Sequence, residues 1–432
     1  MKSKRLLQMI SMLLTITMLL SVMQIDVFAI KRDPSQPSIQ DSTATALPDP
    51  EEEPEYKIIG EQKEKRDATT KYFLTEHGNG IAAVYKEPVH YQTSDGTWEE
   101  IDNSLVESTD RMAGEVYETA ANDVKVKFAK KRDHKRLVTL DDGNYHLSWG
   151  FEGAQKSQGN QNVQLIQPVE PMDAAAVEEP VTQEEIHAYN REIMGVSKNQ
   201  SGALYKDVYP NIDAQYIVTG KTVKENIVLH DKSAAGQEIS FHIRHNRMHI
   251  REEEDGSLSL VENAEPQEVI YTFQAPYMMD ANGEICKDVH FAVTTGSNIH
   301  ESTIQVVADQ GWLNAPERAY PVVIDPIAET SRAEQSIFDT YVASSRADEC
   351  NSAMGAFYVG KNAYDGFCHA FIKFVNLPEL DQGALIYRAY LSVWQDDYSA
   401  NNGQGVNISA VEVTGDWDET VTWNTHPFYD GD

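Results

Sequence analysis

The residues best placed to do chemistry stand near the C-terminus, in GDWDETVTWNTHP (415–427), where Trp417 and Trp423 flank Asp418 and Glu419. A carboxylate pair between aromatic rings is what a sugar-cleaving site uses, one acid protonating the leaving oxygen and the other attacking or activating water. Neighbouring residues of an extended chain point to opposite sides, however, whereas a concerted pair must face one bond. Val421 and Trp423 would share one face of a final strand and Thr422 the other. The segment is therefore expected to be structural, with tryptophans packed into a core and acids at a turn. No catalytic residue is assigned.

A second constellation is FHIRHNRMHI, with His242, His245 and His249. On a helix, spacings of three and four would gather the imidazoles on one face, as a metal site needs. Here Phe241, Ile243, Met248 and Ile250 alternate with polar residues, which predicts two strands of a hairpin turning at His245-Asn246-Arg247, and that arrangement scatters the rings. Asp396, Asp397, Asp416 and Asp418 fall in turns; oxygen-rich turns can hold calcium, but solvated turn aspartates are the plainer expectation. No metal ligand is assigned and no cofactor is expected. The chain has no GxSxG, HExxH, GxxxxGK[ST], strand-to-helix GxGxxG or CxxC, although dispersed carboxylates would leave no such local signature. Cys350 and Cys368 share one segment and could form a disulfide, leaving Cys286 over.

These side chains need elements to position them. Lys2, Lys4 and Arg5 precede an apolar run from Leu6 to Met23 and a Val27-Phe28-Ala29 site, so residues 1–29 are expected to be a secretory signal peptide, the alternative being an uncleaved anchor. Its removal lowers the net charge of −32 by two more. Such acidity disfavours binding to a phosphate backbone or an anionic membrane surface, so no nucleic acid and no membrane partner after signal cleavage are expected. Residues 30–66 are proline-rich and acidic and are expected to form a disordered linker. From Tyr72 onward, Val-, Ile-, Tyr- and Phe-rich runs alternate with HGNG, SDGTW, DDGN, EDGS and DANGE, which predicts antiparallel hairpins. Gln155–Pro180 reads as a surface loop and VTQEEIHAYNREIM (181–194) as one short helix, with Ile186, Tyr189 and Ile193 at helical spacing. The expected class is all-β and mainly antiparallel: a β-rich domain with a short helix over 67–328, then an incomplete β-sandwich over 329–432.

FDTYVASS, FYVGKN, AFIKFVNLPEL, AYLSVW and WDETVTWNTHP, running from about 337 to the end, resemble the DNRLRE-type β-sandwich of bacterial surface proteins, a domain similar to carbohydrate-binding module family 96. The name motif itself is absent, and Cys350 and Cys368 stand where that family has loop residues such as Ser, Thr or Asn. Upstream, AAVYKEPVHYQTSDGTWEEIDNSL (82–105), KDVYPNIDAQYIVTGKTVKENIVL (206–229), FQAPYMMDANGE (273–284) and GWLNAPERAYPVVIDP (311–326) resemble the N-terminal region of secreted wall-associated proteins of the Rhs/YD-repeat type. The resemblance implies export, surface display and polysaccharide contact rather than catalysis. It also implies further strands after the TWNxxP segment, so that a chain ending at Asp432 would be truncated inside a domain.

Sugar-binding sandwiches stack exposed rings on pyranose faces. In AYLSVW, Ala389, Leu391 and Val393 would form a core face and leave Tyr390 and Trp394 on the other. With Tyr358, Tyr364 and Tyr398 nearby, these form the candidate carbohydrate platform. The expected function is that of a noncatalytic, extracellular or cell-wall-associated protein that contacts wall or environmental polysaccharide. The alternatives are a secreted polysaccharide hydrolase or lyase with an appended module, and a structural spacer of a toxin-delivery protein.

Overall fold

The computed structural model describes residues 24–30, 56–157, 163–168, 182–325, 327–330, 335–352, 357–362, 364–379, 384–393 and 410–427. Nearly all of its regular structure is antiparallel β. The Asx-Gly pairs close hairpins as expected: DDGN, for example, joins Val138–Asp141 to His146–Phe151, with Gly143 at φ 87, a left-handed value that suits glycine.

Two large sheets form the N-terminal body. An eight-stranded sheet runs from Asp102–Asp110 through Gly114–Ala121, Lys125–Ala129, Val138–Asp141, His146–Phe151, Ile239–His245 and Glu301–Ala308 to Val289–Thr295. An eleven-stranded sheet is built around Gln200–Tyr209, Ile212–Thr219 and Thr222–Leu229, and includes Leu258–Glu262, Val269–Phe273 and Val322–Asp325. Alternation on the facing strands sends Phe128, Leu147, Trp149, Phe241 and Ile304 from the first sheet against Tyr205, Tyr216, Leu260, Tyr271 and Ile324 from the second. Trp149 lies edge-on to Tyr216 and Phe273, with ring centroids 6.5 and 5.6 Å away.

Two distant sequence stretches, MMDANGE and GWLNAPERAY, meet in this body. Arg318 of GWLNAPERAY donates from Nη1 to Asp280 Oδ2 of MMDANGE at 2.8 Å and from Nη2 to Glu284 Oε1 at 3.2 Å, while its guanidinium lies 3.5 Å from the Trp312 ring centroid. Asp280 also accepts the Asn282 and Glu284 amides. Both charges are buried, so the motif spacing records a clasp between a hairpin turn and a short helix.

Two sequence expectations are corrected, and the expected short helix forms. Residues 58–66, expected in the linker, are folded: Ile58–Glu61 is a strand, Ile58 is buried in an apolar cluster with Phe73 and Met194, and its amide donates to Asn190 Oδ1 at 2.9 Å. The histidine segment is not a hairpin. Ile239–His245 belongs to the eight-stranded sheet and Met248–Glu252 to the eleven-stranded one, so Asn246 and Arg247 (φ 53) carry the chain from one layer to the other. The helix, Gln183–Met194 with a Thr182/Glu185 capping box, buries Asn190 and Met194 most deeply, and Ile186, Tyr189 and Ile193 only partly.

A smaller five-stranded sheet orders Ile58–Glu61, Thr70–Thr75, Gly80–Tyr85, Gln24–Ile30 and Leu385–Ser392. Beyond it lies a three-stranded sheet, Ile337–Ala343, Gly366–Phe374 and Gly360–Asn362. TVTWN (420–424), expected as a strand, is a turn in the structure.

Candidate functional site

Strand Gly366–Phe374 presents His369, Phe371 and Lys373 on one face and Cys368, Ala370 and Ile372 on the other. Residues 415–427 cover the first face as a closed loop. Its ends touch: a Cβ added to Gly415 would stand 2.5 Å from Pro427 Cβ, the arrangement of a compact Ω-type loop packed on its own side chains. Val421 is the buried centre, against Val342 and Phe371. Trp417 lies 5.5 Å from Phe371, and Trp423 lies 4.9 Å from His369 and 5.5 Å from His426 (ring centroids).

Polar contacts hold this loop in place. Lys373 Nζ donates to the Trp417 carbonyl at 2.9 Å and to Asp416 Oδ1 at 3.1 Å. Asn424 donates from its amide to the Ala347 carbonyl at 3.0 Å and from Nδ2 to Asp348 Oδ1 at 2.7 Å, and Cys350 Sγ donates to the Glu419 carbonyl at 2.7 Å. Each tryptophan is half-buried, one side packed on the sheet. Indole rings held in this way can stack on the apolar face of a sugar, and immobilising them beforehand lowers the entropic cost of binding.

The carboxylates of the loop do other work. Asp418 Oδ1 accepts the Thr420 amide at 2.9 Å and its hydroxyl at 2.6 Å, bonds that hold the acid below its ordinary value. Lys373 does the same for Asp416. A general acid needs the opposite shift, so these exposed turn groups are poorly suited to protonating a leaving group.

The described residues of the expected aromatic platform, Tyr358, Tyr364 and Tyr390, lie on different parts of the fold. Tyr358 lies in the opposite face of the sheet, its ring 5.2 Å from that of Tyr341. Tyr364 is 42% exposed in the turn before Gly366, and Tyr390 is 41% exposed on Leu385–Ser392, a strand of the other, five-stranded sheet. Trp394, Tyr398, Asp396 and Asp397 lie outside the described residues. Leu391 and Val393, expected in the core, are 42% and 52% exposed, because their strand stands at the edge of the five-stranded sheet. Trp417 and Trp423 pack on a core cluster as expected but stay partly exposed, and His369 and His426, which the sequence does not single out, lie beside them. The bracketing Gly415 and Pro427, and the His-x-Phe-x-Lys alternation of 369–373, are the signals that could have found this cluster.

Cys350 and Cys368 are not joined, and Cys286 is likewise a thiol. Cys350 points to the loop at Glu419, whereas Cys368 faces the other side among Tyr341 and Ala343, where burial pushes its thiol up to about 12. Among the described residues, no three His, Cys, Asp or Glu side chains are grouped to hold a metal ion. His242 accepts from Arg244 Nε at 3.0 Å, His249 pairs with Asn263 at 3.0 Å, and His245 is buried beside His300, its value pulled down to about 4 mainly by burial. The carboxyl with the largest upward shift is Glu225, raised to about 8 by burial despite the Tyr216 hydroxyl donating to it at 2.6 Å. It borders an interior cavity of about 10 Å³ lined by Trp149, Phe241, Ile243 and Phe273. Such a space holds at most one water, so Glu225 is a buried structural acid.

Comparison with known proteins bears on the cluster around the tryptophans. Residues 331–432 match Carbohydrate-binding module family 96. The chain is also 25% identical over 410 residues to the tRNA nuclease WapA of Bacillus subtilis, covering 91% of this chain and 16% of that protein. It is 24% identical over 444 residues to the tRNA(Glu)-specific nuclease WapA of Bacillus subtilis subsp. natto, covering 97% and 17%. A Wall-associated protein of Geobacillus stearothermophilus is 25% identical over 228 residues, covering 52% of this chain and 76% of the relative. The chain thus spans about a sixth of the length of the WapA relatives. No solved structure matches. The chain is thus similar to wall-associated proteins, and residues 331–432 are similar to a carbohydrate-binding family.

Proposed function

We propose that this chain is a noncatalytic, exported surface protein that contacts polysaccharide through the loop 415–427. The observation that carries the reading is the fixed pair of half-exposed indoles, Trp417 and Trp423, inside the segment that matches a carbohydrate-binding family. Lys373, Asn424 and Asp416 border the rings, within reach of sugar hydroxyls. Weak single contacts of this kind gain strength when many copies meet a repeating polymer, which suits display on a wall. The helix requirement for spanning a membrane is not met by any described residues, and the homology to wall-associated proteins supports an extracellular or wall location. An array of wall and environmental polysaccharides probed with the full chain tests the reading. Retention on at least one glycan, without release of reducing or unsaturated sugar, is the expected result, and an empty array overturns it.

The share of the WapA proteins that the chain spans supports a second reading, in which the same body serves as the display portion of a longer protein with an activity such as those relatives are named for. Immunodetection of the native secreted protein far above 48.5 kDa would favour it.

A further inference from the structure

The loop 415–427 covers only one face of the module's three-stranded sheet. The other face carries Ile337, Tyr341, Ala343, Cys368 and Ile372, and part of its cover comes from the opposite end of the chain. Ile337 is 0% exposed and packs with Ile372 against Ala82 and Val84 of strand Gly80–Tyr85. The reverse face of that strand, Ile81, Ala83 and Tyr85, clusters with Ile58 and Phe73 of its own sheet and with Val89 and Met194 of the N-terminal body. Gly80–Tyr85 is therefore a middle layer, apolar on both faces, which is why IAAVY reads as a continuous apolar run.

The margin of this contact is specific. The Thr69 and Ser336 hydroxyls meet at 2.5 Å in a buried position, and Lys86 pairs with Asp339 at 2.5 Å. Lys287 of the N-terminal body donates to the Cys350 carbonyl at 2.6 Å and to Asn351 Oδ1 at 3.0 Å, and pairs with Glu349 at 3.4 Å.

We propose that the carbohydrate-binding module is a composite: strands Ile58–Glu61, Thr70–Thr75 and Gly80–Tyr85 supply the second layer of its sandwich, so the family boundary at residue 331 is not a folding boundary. A three-stranded sheet needs a packed apolar face to be stable, and here Ala82 and Val84 offer small side chains that let the layers approach closely. The N-terminal body then acts as a mount that fixes the module and leaves the loop 415–427 on the far side of the sheet. This inference stands on packing alone and holds whether or not the loop binds sugar.

Hydrogen exchange on the full chain tests it, with Val84→Arg placing a charge in the contact and Lys86→Asp combined with Asp339→Lys swapping the ion pair. Val84→Arg is expected to lower protection of the Gly366–Phe374 amides at least about tenfold while Lys125–Ala129 and Ile239–His245 keep theirs. Lys86→Asp alone should give a smaller loss that the added Asp339→Lys restores. Undiminished protection of Gly366–Phe374 in Val84→Arg overturns the proposal. If Val84→Arg unfolds the whole chain, the ion-pair swap decides: failure of the double variant to restore protection overturns it, and restoration upholds it.

Discussion

The N-terminal body and the C-terminal module solve the same problem, covering the apolar faces of antiparallel sheets, in different ways. In the body, two large sheets cover each other, and residues as bulky as Trp149, Tyr205 and Tyr216 are fully enclosed. In the module, three short strands take their cover from a loop on one side and from a distant strand on the other. The consequence shows on the surface: of the large apolar side chains exposed among the described residues, four (Ile59, Val106, Met112, Ile299) precede residue 330 and eleven follow it. A sheet that covers itself yields a stable scaffold. One that depends on a loop and a neighbour leaves rings and edges accessible, which suits contact with a polymer.

The first way to sharpen this comparison is to break the scaffold where it is most self-contained. Arg318→Ala strands the buried Asp280 carboxylate without its partner and should cost the N-terminal body about 3–5 kcal/mol, read by urea unfolding followed through tryptophan fluorescence. The module's loop contacts share no residue with this clasp, so a loss confined to the module would contradict the division drawn here.

Glu225 gives the scaffold a pH signature of its own. Its carboxyl is raised in the folded state to about 8 from an ordinary 4.5. The stability it contributes is therefore fully present below about pH 4.5 and lost as pH rises toward 8, because the unfolded chain releases that proton first. Glu225→Gln should remove about 2–4 kcal/mol of this slope between those limits, measured by denaturant unfolding at several pH values. An unchanged slope would show that the side chain is not held as a neutral acid.

The module is tested next. Gly415→Ala drives a methyl into Pro427 and should destabilise the loop by about 1–3 kcal/mol, seen as earlier proteolysis within 415–427 while the N-terminal body stays resistant. Resistance equal to that of the parent chain would mean that the closure of the loop ends is not what holds it.

How much of this was legible in the sequence follows the same divide. Strands bounded by Asx-Gly turns, such as Val138–Asp141 with His146–Phe151, were readable because turn chemistry and alternation agree locally. The long, polar Asp102–Asp110 was not, since partners across the sheet rather than its own pattern make it a strand. The sheet change at Asn246-Arg247 was hidden for a similar reason: a two-residue turn looks alike whether its strands pair or part. At the candidate site, the indoles were noticed but assigned to a core. Their partial exposure depends on where 415–427 lies over Phe371 and His369, contacts set by residues some fifty positions away. The clasp through Arg318 was not legible, because its partner Asp280 lies 38 positions away and nothing local pairs the two.

The central claim is that the indoles of this loop contact polysaccharide. Its most direct test is calorimetric titration of the full chain, and of its Trp417→Ala and Trp423→Ala variants, with solubilised wall polysaccharide. Removing either ring should weaken binding about tenfold, roughly 1.4 kcal/mol, with unfolding of the N-terminal body unchanged. Affinity undiminished in both variants would place the contact elsewhere and contradict the account.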